Sequence, residues 1–444
     1  MRAMTPSFIG AWLLLSVPVV AGAQATPLAP ISLDELERLA LANNPTIAQA
    51  AAGVDAARGR ATQAGQFPNP IVGYTGEEIR PGGVFRGGEH GIFVQQAIPL
   101  GGKLGLSRDV FNRDVTRAEA LADVQRQRVL NTVRVRFYEA LAARRRVEVR
   151  ERLSQLAAEA VTVSQQLYNV GAADRPDVLE SEIEARRASL ALNEAANLEF
   201  ASWRRLAAAV GEPRLELRPL KGSLDGPLPN LERGEVRDTL LRDSPEVKAV
   251  RAGIERSELA VRRARREPVP DLFVRGGSLY NRELLESGPR GPQPVGWEAA
   301  AEIGISVPLF NRNQGGTAAA AATLSQSRSE LPRLQLDLEQ RLADTFAEYL
   351  SALRSAEVYR DEVVPRAEEA YQLYLARYRD MAAAYPQVLI AQRTLFQTTE
   401  QYVSALERTW RTAVQVQGFL LTDGLTGVEA PGRHEPSETE MNRD

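Results

Sequence analysis

Residues 103–169 read KLGLSRDVFNRDVTRAEALADVQRQRVLNTVRVRFYEALAARRRVEVRERLSQLAAEAVTVSQQLYN. The stretch holds no proline, and its single glycine is Gly105, near the start. Ala, Leu, Arg, Glu and Gln dominate it, residues that lose little on entering a helix. In its second half Val149, Leu153, Leu156, Ala160, Val163 and Leu167 alternate steps of four and three, the apolar seam of a coiled coil. As one helix, 67 residues make a rod of roughly 100 Å. A compact domain has no use for such a rod, so the chain is built to span a distance.

The rod is used twice. Asn44-Pro45 recurs as Ser244-Pro245, and Phe67-Pro68-Asn69-Pro70 recurs as Glu267-Pro268-Val269-Pro270. Ile98-Pro99-Leu100 recurs as Val307-Pro308-Leu309, and the turn around Tyr168 to Leu179 recurs around Tyr378 to Leu389. The spacing from Pro99 to Pro176 is 77 residues and from Pro308 to Pro386 is 78, so the two rods match in reach. Residues 24–212 are thus a first repeat, with strands over 70–76 and 91–98 and a long helical hairpin over 103–210. Residues 213–233 are a linker. Residues 234–424 are a second repeat, with strands over 271–280 and 297–307 and a hairpin over 314–422, and residues 425–444 form a disordered polar tail. Ser32 with Glu35 forms a capping box at the first helix. The return helix, 177–210, covers about half of the long one; the helix over 46–66, stacked end to end with it, covers most of the rest.

The N-terminus reads as a secretory signal over residues 1–23: Arg2, an apolar core over 8–20, and small residues for cleavage. A retained anchor is the alternative, but the apolar run is short of the ~20 residues that span a bilayer. No later stretch approaches a transmembrane helix, so a membrane-inserted form has to be a β-barrel. The chain has no cysteine, which excludes disulfides, thiolate metal sites and a lipoprotein anchor. Net charge is −3 with mixed signs, and nothing points to nucleic acid.

The fourth strand is the clearest. Trp297, Ala299, Ala301, Ile303, Ile305 and Val307 alternate with Glu298, Ala300, Glu302, Gly304 and Ser306, an apolar-out, polar-in outer-membrane strand. The third is weaker, with Arg275 on the face of Phe273 and Leu279. A soluble four-stranded sheet is the competing reading. Four strands cannot close a membrane barrel, which needs about eight, and an open edge in lipid is costly. Three copies would supply twelve strands. The fold class expected is therefore mainly α with a small β part: a duplicated coiled-coil barrel topped by a shared 12-stranded trimeric β-barrel.

Signal, duplicated helix–strand–strand–long-helix units, and Tyr168-Asn169-Val170-Gly171 ahead of Asp177-Val178-Leu179 together resemble the TolC family of outer-membrane efflux channels, over essentially the whole mature chain. Phe67-Pro68-Asn69-Pro70 and Gln96-Ala97-Ile98-Pro99-Leu100-Gly101-Gly102-Lys103 are similar to the CzcC-like branch, which serves heavy-metal cation exporters. The resemblance implies a homotrimer in the Gram-negative outer membrane with a periplasmic helical tunnel, the passive outer component of a three-part pump. Its partners would be a periplasmic adaptor, an inner-membrane RND-type pump and outer-membrane lipid. The hairpin tips, with Gly171, Asp174, Pro176, Asp177, Met381 and Pro386, would meet the adaptor. The periplasmic gate would lie at Asp380, Gln387 and Ile390. Gln387 and Ile390 stand where the family often carries carboxylates, so an acidic gate does not carry over there; Asp380, or Asp177 and Glu180, would supply charge instead. Met381 replaces Gly171, and a left-handed turn disfavours Met, so the two tips are expected to turn differently.

Little else suggests chemistry, and the chain does not read as an enzyme. His90, beside Glu89 and near Glu77 and Glu78, reads as part of a solvated loop rather than a cation site; His434 falls in the tail. With two separated histidines, four methionines and no cysteine, no transition-metal site or cofactor is indicated. Gly101-Gly102-Lys103 lacks the full phosphate-loop spacing and reads as a strand-to-helix swivel. Arg144-Arg145-Arg146 and the run Arg262, Arg263, Arg265, Arg266 read as solvated faces. Within the channel reading, drug efflux and type I protein secretion remain alternatives to metal export. A periplasmic coiled-coil adaptor or scaffold is the alternative of another class.

Overall fold

The computed structural model describes residues 29–79, 88–285, 291 and 293–427. The signal segment and residues 428–444 of the tail lie outside the described residues. In chain order the elements are β1 (Ile31–Ser32), α1 (Leu33–Asn43), α2 (Pro45–Ala64), β2 (Ile71–Glu77), β3 (Glu89–Ile98), α3 (Lys103–Asn169) and α4 (Arg175–Val210). There follow β4 (Leu220–Lys221), α5 (Arg233–Asp243), α6 (Pro245–Arg266), β5 (Leu272–Leu285) and β6 (Gln293–Ile305). Then come α7 (Gln314–Val358), a π-helical turn (Tyr359–Val363), α8 (Val364–Arg379) and α9 (Tyr385–Gln417).

The first two helix starts have a local cause. The Ser32 hydroxyl accepts from the Glu35 amide at 3.3 Å, and the Asn44 side chain accepts from the Thr46 amide at 3.0 Å with Pro45 in the first turn. At the other end of the first repeat, Asn44 Nδ2 donates to the Ala209 carbonyl at 2.9 Å and Asn43 Nδ2 to Glu212 at 2.7 Å. These bonds set the start of α2 against the end of α4, so the two shorter helices run in series along α3. The second rod is not a plain copy of the first. Pro365 has no amide for Asp361 and its ring would strike that carbonyl, and the turn just before it opens to π geometry.

The core lies where the rods cross mid-length. Val129, Val133, Phe137 and Leu141 of α3 pack with Trp203 and Leu206 of α4, Leu36 of α1 and Leu406 of α9. A second cluster joins α7, α5 and α9 through Leu338, Leu342, Phe346, Leu240 and Val416. The coiled-coil seam of α3 does not face its own return helix alone. Leu156, Ala160, Val163 and Leu167 pack on Tyr371, Leu375, Tyr378, Tyr385 and Val388 of the second hairpin. The arginine run of α3 is also tied across helices rather than simply solvated: Arg144 pairs with Glu199 at 3.5 Å and Arg146 with Glu407 at 2.6 Å.

Helix α9 ends at Gln417, short of the expected 422, because residues 418–427 fold back across α3. Asn131 Nδ2 donates to the Gly418 and Leu421 carbonyls at 2.7 and 2.8 Å, and Gln125 Nε2 donates to the Gly424 carbonyl at 2.9 Å. Phe419, Leu420 and Asp423 adopt positive φ to make this reversal.

Candidate conduit and hairpin tips

The four longer strands form one antiparallel sheet in the order β2-β3-β5-β6. The two hairpins, one per repeat, are joined by β3 pairing with β5 from Glu89–Asn281 to Ile98–Leu272. Among the described residues, β2 and β6 are the edges and keep one side unpaired. β5 continues past residue 280 to Leu285, and β6 starts at Gln293, so the pairing consumes much of the loop expected over 281–296. Residues 286–290 and 292 lie outside the described residues.

The register sorts the side chains into two faces. One carries Trp297, Ile303 and Ile305 of β6, Ile92 and Val94 of β3, and Val72 and Tyr74 of β2. Of these, Trp297 and Ile303 are each 74% exposed and Val72 is 72% exposed, an uncovered apolar face of a kind that soluble monomers seldom present. Val307, just past the strand, is exposed as well. The other face carries Glu298, Glu302, Arg275, Gln95 and Phe93, and the Arg275 guanidinium lies 4.0 Å over the Phe93 ring. Phe93 in turn lies over Gly73, where a Cβ would strike the ring.

His90 is not in a loop. β3 begins at Glu89, earlier than expected, because residues 89 and 90 pair with Asn281 and Tyr280. His90 Nδ1 is hydrogen-bonded to the Tyr74 hydroxyl at 2.5 Å, and Tyr280 meets Trp297 edge-on with ring centroids 5.4 Å apart. Tyr74, His90, Tyr280 and Trp297 therefore form an aromatic row at one end of the apolar face. Among the described residues no group of three His, Asp or Glu side chains could hold a metal ion, and no helix is long and apolar enough to cross a membrane.

Where the strands meet the rods, Gly101 and Gly102 take φ of 70° and 73°, the left-handed swivel that turns β3 into α3. Lys103, 5% exposed, opens α3 and pairs with Asp271 at 2.8 Å. Asp271 precedes β5, and it also accepts from the Leu100 amide at 3.2 Å. One carboxylate thus pins both repeats together at the junction.

At the far end the two tips are alike, contrary to the expectation from Met381. In the first, the Gly171 amide donates to the Tyr168 carbonyl and the Ala172 amide to the Leu167 carbonyl, at 3.0 and 2.8 Å. In the second, the Met381 amide donates to the Tyr378 carbonyl and the Ala382 amide to the Arg377 carbonyl, at 3.0 and 2.7 Å. Gly171 and Met381 sit at φ of 74° and 59° in the same helix-ending turn. Methionine is accommodated because its side chain is 69% exposed, which leaves chiefly the roughly 1 kcal/mol backbone cost. Asp174 and Ala384 stand at the N-caps of α4 and α9, followed by Pro176 and Pro386 in the first turns. Gln387 and Asp380 are exposed, Asp177 is half-buried, and Ile390 is 65% exposed.

Behind the tips a tyrosine cluster joins the hairpins. The Tyr378 hydroxyl lies 3.2 Å from Ser164 Oγ, and Tyr385, 1% exposed, has a buried hydroxyl with no hydrogen-bond partner among the described residues. Burial, and then the neighbouring Glu184 carboxylate, push the Tyr385 hydroxyl well above the ordinary tyrosine range. Glu184 on α4 also accepts from Arg393 on α9, a direct ion pair between the hairpins. Neither Ser164 nor the Glu184–Arg393 pair stands out in sequence, since each lies on a long helix among many similar residues.

Twin helical rods capped by a small sheet with one apolar face define a channel-forming class, and the chain belongs to the outer membrane efflux protein family, matched over residues 36–212 and 236–419. It is accordingly an outer-membrane efflux channel of the TolC type and not an enzyme. It is 26% identical over 391 residues to the cobalt-zinc-cadmium resistance protein CzcC of Cupriavidus metallidurans, covering 88% of this chain and 90% of that protein. It is 27% identical over 335 residues to the nickel-cobalt-cadmium resistance protein NccC of Alcaligenes xylosoxydans xylosoxydans, covering 74% and 72%. Among solved structures, the outer membrane protein VceC of Vibrio cholerae superimposes with a TM-score of 0.70 at 19% identity, over 89% of this chain and 97% of that one. CusC superimposes with the same TM-score of 0.70 at 15% identity, over 89% and 92%.

Proposed function

We propose that three copies of this chain close a 12-stranded barrel in the outer membrane and a helical tunnel in the periplasm, forming a passive conduit for heavy-metal cations. The observation that carries this reading is the open sheet: two unpaired edges and one uncovered apolar face at the head of two matched rods. An open edge in hydrocarbon leaves backbone groups unpaired, so β6 of one copy pairs with β2 of the next. Trp297, Ile303, Ile305 and Val307 then face lipid, and the face with Glu298, Glu302 and Arg275 lines the pore.

The tips, with Gly171, Asp174, Pro176, Asp177, Met381 and Pro386, receive a periplasmic adaptor, which joins the channel to an inner-membrane RND-type pump. Asp380, Gln387 and Ile390 form the periplasmic gate. The metal-resistance names of CzcC and NccC support cobalt, zinc, cadmium or nickel as cargo. Conduction needs no tight site, because cargo that binds strongly leaves slowly. Deleting the gene should make cells hypersensitive to zinc, cobalt or cadmium, with re-expression restoring tolerance. Unchanged metal tolerance together with new drug sensitivity would move the cargo to drugs.

A further inference from the structure

The C-terminal end of α6 carries Arg262, Arg265 and Arg266, all exposed, ten, seven and six residues before β5 begins at Leu272. Among the described residues none of the three has an ion pair or side-chain hydrogen bond. Two nearby carboxylates are already taken: Glu267 by Arg263, and Asp271 by Lys103. The Asn313 side chain donates to the Ala264 carbonyl at 2.9 Å, which brings the turn after β6 to the same level. That turn begins with Leu309 and Phe310, 64% and 92% exposed, and continues into the exposed Arg312. An apolar and aromatic rim thus passes directly into a basic one.

The side of α6 that bears these arginines can be assigned. Helix α3 lies on one flank, through Arg256–Asp114 at 2.7 Å and Arg263 Nε to Ser107 at 2.8 Å. Helix α7 lies on the other, through Ser257–Ser327 at 2.9 Å and Arg328–Glu258 at 2.9 Å. Two faces remain. One shows Gly253, Ala260 and Ala264, small and half-buried; the other shows Arg251, Glu255, Arg262, Arg265 and Arg266, all exposed. The arginines therefore stand on the exposed, charged face of α6, where Glu255 also reaches Arg113 of α3 at 3.1 Å, and a lipid-binding role requires that face to be the outer one.

We propose that Arg262, Arg265 and Arg266, continued by Arg312, form a basic collar that binds the phosphate groups of anionic phospholipids in the periplasmic leaflet of the outer membrane. The proposal rests on the membrane placement of the sheet given above. Charge complementarity and continuity with the apolar face both favour a bilayer surface as the occupant, since a juxtamembrane Lys or Arg gains about 1 kcal/mol from anionic lipid. Favourable interaction with the helix dipole accounts for the cations of the last turn of α6 but not for Arg312, which lies off that helix.

The test uses the full-length protein purified in mild detergent and exposed to equal amounts of phosphatidylglycerol and phosphatidylcholine with the same acyl chains. Retained lipid is read by native mass spectrometry. The wild type should retain phosphatidylglycerol over phosphatidylcholine by roughly ten-fold or more. Arg262→Gln/Arg265→Gln/Arg266→Gln should bring that ratio near one, and the corresponding triple Lys variant should keep most of it. No preference in the wild type, or an undiminished preference in the triple Gln variant, would overturn the proposal. Should the triple Gln variant not fold, the wild-type ratio is followed from about 0.1 M to about 0.5 M salt: a steep fall supports the collar, and a flat response refutes it. Heat-modifiable assembly in outer-membrane fractions is scored in parallel. Intact assembly without lipid preference fails the collar alone; no assembly fails the channel reading.

Discussion

Substituting Ile303 by Arg tests the orientation of the sheet. Ile303 lies six residues along β6 from Trp297, about 20 Å of strand and about 15 Å of depth at a typical barrel tilt. Measured from the aromatic row, that is near the middle of an apolar band ~25 Å tall. Because 74% of the side chain is uncovered by its own chain, nearly all of it would meet lipid. Arginine at the midplane costs about 2–4 kcal/mol, and losing the lipid contact of isoleucine about 1–2 kcal/mol more, so each chain should lose roughly 3–6 kcal/mol. An assembly of three would lose three times as much. Glu298→Arg, on the opposite face of the same strand, should cost little because it points into water. The assay is urea-dependent folding of the full-length chain into phospholipid vesicles, read by heat-modifiable mobility. Wild-type behaviour of Ile303→Arg alongside collapse of Glu298→Arg would refute the assigned faces.

Other outcomes follow from the junction and the tips. Asp271→Ala leaves Lys103 buried beside no carboxylate, and should cost about 2–3 kcal/mol, below the usual figure for a buried pair because Asp271 is 35% exposed; thermal melting should show Lys103→Met as the milder change. Gly171→Met should keep the turn that Met381 already makes and cost only roughly 1 kcal/mol, with assembly unchanged; loss of assembly would contradict the shared tip geometry. Tyr385→Phe removes a buried hydroxyl without a partner and should stabilise the tips by about 1 kcal/mol at neutral pH, seen as slower hydrogen exchange. The Tyr385 pKa is raised in the folded state, so its contribution is complete below about pH 10 and is lost as pH rises toward the folded value. Wild-type tips should therefore open to protease in strong alkali, and the Phe variant should resist longer.

Much of the fold was legible because its determinants are local. Helix propensity, proline punctuation and the four-three seam mark α3 without reference to any partner, and two-residue alternation marks β6. What stayed hidden depends on contacts between distant segments. Gln125 and Asn131, both 0% exposed, look like surface residues on a helix until the returning segment 418–427 supplies their acceptors. The strands ran past their expected ends because pairing, not composition, sets where a ladder stops. Met381 was misjudged because the turn is fixed by hydrogen bonds from flanking helices, and an exposed side chain pays only the backbone cost. The π turn before Pro365 shows the same limit: proline announces a disruption but not its form. At the tips, Tyr385 and Ser164 gained significance only when the second hairpin was seen to pack on the seam of the first.

Native mass spectrometry of the detergent-extracted, full-length protein bears most directly on the central claim that one chain's sheet is completed by its copies. The account predicts a complex of three chains that conducts ions in planar bilayers. A stable, water-soluble single chain with the Trp297–Ile305 face buried would contradict it.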